Sequence, residues 1–429
     1  MLDIFRTLRA AALQFAAIWC SPRYARSARR AVMRLQPTID SERPRTRQLL
    51  VDVSIIASHD AGTGIQRVVR SLLLQLLAHP PVGFEIRPVQ ATRKRPYRYA
   101  DAYLHLLTSS APAYGGDKVS VANGDIFLGL DLASRIMPRR QLDLLRWRTK
   151  GVRCAFVVYD LLPVLHPHWF TPRARRSFRH WLSTLAVHAD TLLCISNSVS
   201  SEARSYMKHH FGAMASDFST HWFHLGADLQ SSQTLTPSTP FFSNDSHAAS
   251  DHSTVLMVGT IEPRKGHAQV LDAFELLWTD GVNTMLVISG RQGWHVDSLV
   301  ERLTHHPELG KRLHWLVGIA DEQLACLYRE LDGLIMASEA EGFGLPLVEA
   351  AQYGMPIFAR ELPVFREVAS EHATYFDAKD GGELAPQLAD WIESLENGNA
   401  PRSDAMLPLT WSASADRLKT LIAILDHSS

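Results

Sequence analysis

At 429 residues the chain is too long for one compact core, and two domains of roughly 200 residues each are expected. A hydrophobic content of 46% supports sizeable globular cores, while 44 Lys plus Arg against 44 Asp plus Glu leave a global charge that names no partner. Four cysteines, Cys20, Cys154, Cys194 and Cys326, stand without paired spacing, which speaks against a disulfide framework or a zinc site and fits a reducing compartment.

Charge is uneven along the chain. Residues 1–48 hold ten arginines against three acids, Asp3, Asp40 and Glu42. Inside this basic extension, "AAALQFAAIWC" (10–20) is apolar but too short to span a bilayer, and no clear cleavage site follows. Arg6, Arg9, Arg23, Arg26, Arg29 and Arg30 flank it, the pattern of a basic amphipathic helix on an anionic membrane surface. The competing reading packs the helix on the first domain with its arginines in water.

From residue 49 short apolar runs alternate with longer helix-like segments. "LLVDVSIIA" (49–57), "EIRPVQA" (85–91), "DIFLGLD" (125–131), "RCAFVVYD" (153–160) and "TLLCIS" (191–196) read as strands. The segment 64–79 places apolar residues at three and four spacings, as a helix against a sheet requires. The rhythm stops at 229–253, rich in Ser, Thr, Pro and Asn, which reads as a linker or long loop. It then restarts. Strands are expected at 254–260, 284–290, 313–318, 333–338, 356–359 and 373–377, with helices at 266–278, 295–309, 321–331 and 344–353. Alternation of this kind implies parallel sheets covered on both faces. The expected fold is α/β, with two facing Rossmann-like, doubly wound domains and a cleft between them. The first domain is placed at 49–228 and the second at 254–429, whose last helix is free to pack back on the first.

Three stretches carry chemistry. In "EAEGFGLPLVEAAQYG" (339–354), Glu341 follows a strand, and Gly342 and Gly344 let backbone pass close to a ligand. Glu349 lies one and a half helical turns further on, where a carboxylate accepts hydrogen bonds from vicinal ribose hydroxyls. In "VGTIEPRKGH" (258–267), Arg264 and Lys265 occupy a strand-to-helix loop, a fork and a point charge suited to a diphosphate. In "HDAGTGIQRVVR" (59–70), Gly62 and Gly64 bridge the first strand and first helix, so that backbone N–H groups meet an anion or a sugar hydroxyl. A plain turn is the simpler reading of this last stretch. Its spacing does not fit a nicotinamide site, and the chain carries no P-loop.

Taken together, "GTIEPRKGH", "ASEAEGFGLPLVEAAQYGMPI" and "GTGIQRV" resemble the family-four retaining glycosyltransferases of GT-B fold, over nearly the whole chain from about residue 49. The resemblance implies metal-independent transfer with retained anomeric configuration. It places the nucleotide-sugar donor mainly in the second domain and the acceptor mainly in the first. It assigns Glu349 to the ribose and Glu341 to the donor sugar's hydroxyls. The N–H groups of Gly342, Phe343, Gly344 and Leu345 would face sugar and diphosphate, and Arg264 and Lys265 the departing diphosphate. Gly62 and Gly64 match the glycine loop of the first domain. Where many relatives carry His-Asp, this chain has Tyr159-Asp160. Asp160 joins Glu341, Arg264 and Lys265 as the expected catalytic set, and Tyr159 leaves open which group meets the sugar. His166 and His168 read as structural, and Ser196 with Asn197 as a helix cap.

The expected activity is transfer of mannose or rhamnose, from GDP-mannose or dTDP-rhamnose, to a glycan or lipid-linked glycan in surface polysaccharide synthesis. No cofactor or metal is expected, and no nucleic-acid partner, since "RKRPYR" (93–98) is a single basic loop. The expected place is the cytoplasm, peripheral on the inner membrane face. The alternative is a catalytically weak nucleotide-sugar-binding scaffold. An epimerase leaves the basic N-terminus unexplained, and a phosphorylase needs a far longer chain and a cofactor lysine.

Overall fold

The computed structural model describes residues 2–35, 46–108, 116–212, 217–229 and 253–427. The chain divides into two compact units, Met1–Leu225 with Trp411–Ser429, and Gly226–Thr410. Most of the expected 229–253 linker lies outside the described residues.

The first unit is built on a seven-stranded sheet. Its strands are β1 (Arg47–Asp52), β2 (Phe84–Gln90), β3 (Arg98–Tyr99), β4 (Ile126–Gly129), β5 (Arg153–Val158), β6 (Thr191–Cys194) and β7 (Ser219–Trp222), in the order β3-β2-β1-β4-β5-β6-β7. All pair in parallel except β3, which runs antiparallel along β2. The inner strands β4 and β6 are buried at every residue, which explains their unbroken apolar runs.

Two expectations about boundaries change here. The basic segment is not a separate extension. Helix Leu2–Phe15, the helical turn Ala16–Cys20 and helix Ala25–Met33 set Ala10, Ala17, Ala25, Ala28 and Val32 into the same core as Phe178, Trp181 and Leu182. Nor is Arg29 solvated. Its guanidinium donates to the Ala189 carbonyl at 2.6 Å and to that of Asp217, and burial lowers its pKa to about 10. At the other end, Trp411–His427 packs on helix Gly64–Ala78 of the first unit, so the second unit stops short of 429. Asp426 fixes this return by pairing with Arg47 at 2.7 Å and Arg153 at 3.0 Å.

The second unit holds six parallel strands, β8 (Thr254–Val258), β9 (Met285–Ser289), β10 (Leu313–Leu316), β11 (Gly333–Met336), β12 (Ile357–Arg360) and β13 (Thr374–Phe376), in the order β10-β9-β8-β11-β12-β13. That is the Rossmann order, and its direction reverses between β8 and β11. In the first unit the reversal falls between β1 and β4. Ligands of such sheets bind outside the carboxyl ends of the strands at the reversal. The loops after β8 and β11, and those after β1 and β4, are therefore where function is sought. Among the described residues no helix is long and apolar enough to cross a membrane.

Candidate active site

The loop after β8 owes its course to glycine. Gly266 sits at φ 77° and starts helix His267–Thr279, and a Cβ on it would come within 2.4 Å of the Ala337 carbonyl oxygen. Only glycine lets this loop lie flat on the end of β11. The Glu339 N–H then donates to the Arg264 carbonyl at 2.8 Å, tying the two loops together.

This contact brings together three side chains from distant stretches of sequence. Glu341 pairs with Arg264 at 3.0 Å and with Lys265, and accepts from the Ser338 hydroxyl at 2.8 Å. The Arg264 guanidinium also donates to Glu262 at 3.0 Å and to the Ala340 carbonyl at 3.2 Å. Burial alone would push the Glu341 carboxyl up. The charges of Arg264 and Lys265 outweigh it and hold the group at about 2, so it stays ionised. Burial moves Glu262 the other way, above its ordinary value, against the pull of Arg264 and Lys265. Two cations are thus held, partly buried, at the strand reversal of this unit. A diphosphate arriving there would meet positioned charge that needs no reorganisation.

The rest of the Glu341–Glu349 stretch behaves differently. Gly344 takes φ 98°, and a Cβ there would strike the Phe365 ring at 2.9 Å. The Phe343 side chain is buried. Helix Leu345–Ala351 carries Glu349 inward, leaving it 2% exposed, and its Oε2 accepts from the Tyr328 hydroxyl at 2.8 Å. The structure therefore joins Glu341 to Arg264 and Lys265, and gives Glu349 a different partner.

In the first unit, Gly62 follows β1 at φ 66°, and a Cβ on it would meet nothing within 4 Å. Gly64 opens helix Gly64–Ala78 behind a capping box in which Thr63 accepts from the Gln66 N–H. Helix capping accounts for much of this turn, and open space remains beside Gly62. Asp160 follows β5, and its carboxylate accepts from the Leu162 N–H at 3.0 Å. Tyr159 turns into the unit, where its hydroxyl donates to the Leu130 carbonyl at 2.7 Å. Burial raises its pKa well above 10. Tyr159 is thus held inside the unit by its own hydrogen bond. His166 stacks on Trp169 at 4.4 Å, and Ser196 caps helix Asn197–Phe211 by accepting from the Val199 N–H.

Sequence reasoning missed Glu262, Ser338 and Tyr328. Glu262, two residues before Arg264, was open to notice. Tyr328 gave no local sign. A surface cavity of about 820 Å³ lined by Trp278, Arg302, His306 and Arg312 contains none of the site residues, and Arg302 there is already held by Glu275 and Asp272. Among the described residues, no group of three or more His, Cys, Asp or Glu side chains is placed to hold a metal ion.

Residues 238–405 match the family described as glycosyl transferases group 1. The chain is 43% identical over 396 residues to the serotype-specific mannosyltransferase WbdA of Escherichia coli, covering 89% of this chain and 47% of that protein. It thus spans about half the length of the curated relatives it matches first. The O-antigen chain mannosyltransferase B of Escherichia coli is 33% identical over 146 residues, 33% of this chain and 36% of that protein. Among solved structures, sucrose-phosphate synthase from Thermosynechococcus elongatus superposes with a TM-score of 0.58 at 17% identity, covering 89% of this chain and all of that one. Anabaena HepE in complex with UDP and glucose gives 0.55 at 15% identity, over 89% and 97%. At such identities these two speak for the fold alone.

Proposed function

We propose that the chain is a group 1 glycosyltransferase of GT-B fold, a retaining, metal-independent mannosyltransferase acting in surface polysaccharide synthesis. The observation that carries this reading is the Arg264–Lys265–Glu341 cluster at the strand reversal of the second unit. Electrons of the breaking C1–O bond pass to the diphosphate, and Arg264 and Lys265 stabilise the charge that grows there. The acceptor oxygen forms the new bond on the face the diphosphate leaves, and its proton passes to the departing diphosphate. Glu341 holds the cations in place and meets sugar hydroxyls, the backbone at Gly342 to Leu345 meets sugar and diphosphate, and Glu349 takes the ribose. The Gly62–Gly64 loop and Asp160 serve on the first unit. GDP-mannose is preferred to dTDP-rhamnose because the relatives are named as mannosyltransferases. The acceptor is a glycan or lipid-linked glycan.

The test is transfer from GDP-α-mannose to a mannoside acceptor in EDTA, with the product linkage read by NMR. An α-linked product without added metal supports the proposal. A β-linked product overturns retention, and nucleotide binding without turnover favours the scaffold alternative.

The same reading places the protein peripherally on the inner face of the cytoplasmic membrane. Helix Leu2–Phe15 buries Ala10 and Gln14 on one face, yet leaves Phe5 67% and Leu8 61% exposed, with Ile4 and Phe15 exposed beside them. Arg6, Arg9, Arg23, Arg26 and Arg30 are exposed as well. Apolar side chains ringed by cations suit an anionic lipid surface, where each cation contributes on the order of 1 kcal/mol. Deleting the segment would strip buried alanines from the core, so point substitution is the cleaner probe. Phe5→Glu with Leu8→Glu should abolish sedimentation with phosphatidylglycerol vesicles while the protein stays folded, and high salt should release the wild type. Undiminished sedimentation of the doubly substituted protein refutes this placement.

A further inference from the structure

Glu349 is a buried carboxylate whose Oε2 accepts from the Tyr328 hydroxyl at 2.8 Å. Tyr328 lies on helix Asp321–Glu330, the element before β11, and Glu349 on Leu345–Ala351, the element after it. The phenol is buried. It belongs to the buried cluster that includes Leu324, Leu327, Leu347 and Ala350, and its ring stacks on Tyr353 at 6.0 Å and 10°. The Arg329 guanidinium lies 5.7 Å from the centre of the Tyr353 ring on which Tyr328 stacks.

A glutamate's last torsion is soft, with a broad two-fold profile, so packing alone leaves the carboxylate plane loosely set. Gripping two vicinal hydroxyls at once needs that plane fixed. A hydroxyl donated from an immobile ring sets it, and also offsets part of the cost of keeping the carboxylate buried. We infer that Tyr328 is a positioning residue which orients the Glu349 carboxylate for the vicinal hydroxyls of the donor's ribose. This rests on the reading of Glu349 as the ribose ligand. Tyr328 itself touches no reacting atom.

The test uses the full chain and two nucleotide pairs, GDP with 2′-deoxy-GDP and UDP with 2′-deoxy-UDP, titrated calorimetrically. Wild type should bind a ribonucleotide several-fold more tightly than its 2′-deoxy partner, and Glu349→Ala should bind both alike. Tyr328→Phe should weaken the ribonucleotide about fivefold to tenfold, leave the deoxynucleotide nearly unchanged, and raise the donor KM more than it lowers kcat. A general loosening of the fold would weaken both nucleotides together, which is the mark of a merely structural role and overturns the inference. Tyr328→Met, which keeps bulk without the hydroxyl, must behave as Tyr328→Phe does, and melting temperatures confirm that each variant is folded. If wild type discriminates, Glu349→Ala does not, and Tyr328→Phe keeps full selectivity, the positioning role is refuted while the ribose reading stands. If wild type shows no preference, or Glu349→Ala retains one, the ribose reading falls and this inference with it.

Discussion

The two sheets reverse their strand order at equivalent places, yet they furnish those places with different side chains. At the ends of β1 and β4 the first unit buries acids. Asp52 is fully enclosed and accepts from the Ser54 N–H at 2.9 Å and the Tyr97 hydroxyl at 2.8 Å. Asp131 accepts from the N–H groups of Ile55 and Ile56 at 2.8 and 2.9 Å. These carboxylates work on the backbone, folding the stretch that leads to Gly62. At the ends of β8 and β11 the second unit instead sets Arg264 and Lys265 around Glu341, where the charges answer mainly one another. The topology supplies a crevice twice. The side chains furnish the second one with a paired arginine and lysine, and the first with carboxylates that hold backbone N–H groups.

Glu341→Ala should break this contrast most severely. It removes a shared partner from two partly buried cations, a change that costs about 3–5 kcal/mol when the charge left behind is buried. The urea midpoint of the second unit should fall accordingly, and an unchanged midpoint would mean the cluster contributes nothing to the fold.

Asp131→Ala probes the first unit in the same way. One buried and one half-buried N–H group lose their acceptor, at about 1–3 kcal/mol for each group left unsatisfied in the interior. The loss should appear in stability, and in the protease sensitivity of residues 53–63. A variant as stable and as resistant as wild type would show that the loop is held by other means.

The smallest effect is one of pH, and its sign differs between the units. Burial pushes the Asp52 carboxyl from 3.8 up to about 7. The folded state then keeps a proton that the unfolded chain has lost, so this contribution is full below about 4 and is lost as pH rises through about 7. Burial holds the His267 imidazole, ordinarily near 6.5, at about 3. It stays neutral while the unfolded chain takes up a proton, so its contribution is present above 6.5 and is lost as pH falls towards 3. Melting curves between pH 5 and 8 should therefore show Asp52→Asn losing less stability than wild type on the alkaline side. His267→Asn should lose less on the acid side. Parallel profiles for all three proteins would contradict both assignments.

Much of this arrangement was legible in the sequence, for local reasons. Runs such as "RCAFVVYD" announce buried parallel strands. Arg264, Lys265 and Glu341 lie in the loops that follow such runs, which places them at one edge of one sheet. What the sequence left open or missed depends on contacts far along the chain. The return of Trp411–His427 turns on Asp426 meeting Arg47 across 379 positions and Arg153 across 273. The strand β7, "STHW", is polar and pairs only because β6 offers it an edge. The N-terminal helices join the core through alanines, which any helix may carry on either face. The acids of the first unit did leave a mark, since Asp52 interrupts an otherwise apolar run, and such a charge asks for buried partners.

The central claim is that Arg264 and Lys265 act on the departing diphosphate rather than on binding alone. The most direct test is Lys265→Ala, with kcat measured at saturating donor beside the dissociation constant for the donor. Loss of one preorganised charge facing a developing anion should lower kcat by about 10²–10³-fold, with a smaller change in donor affinity. Full turnover at saturation, with only the donor dissociation constant raised, would contradict the account.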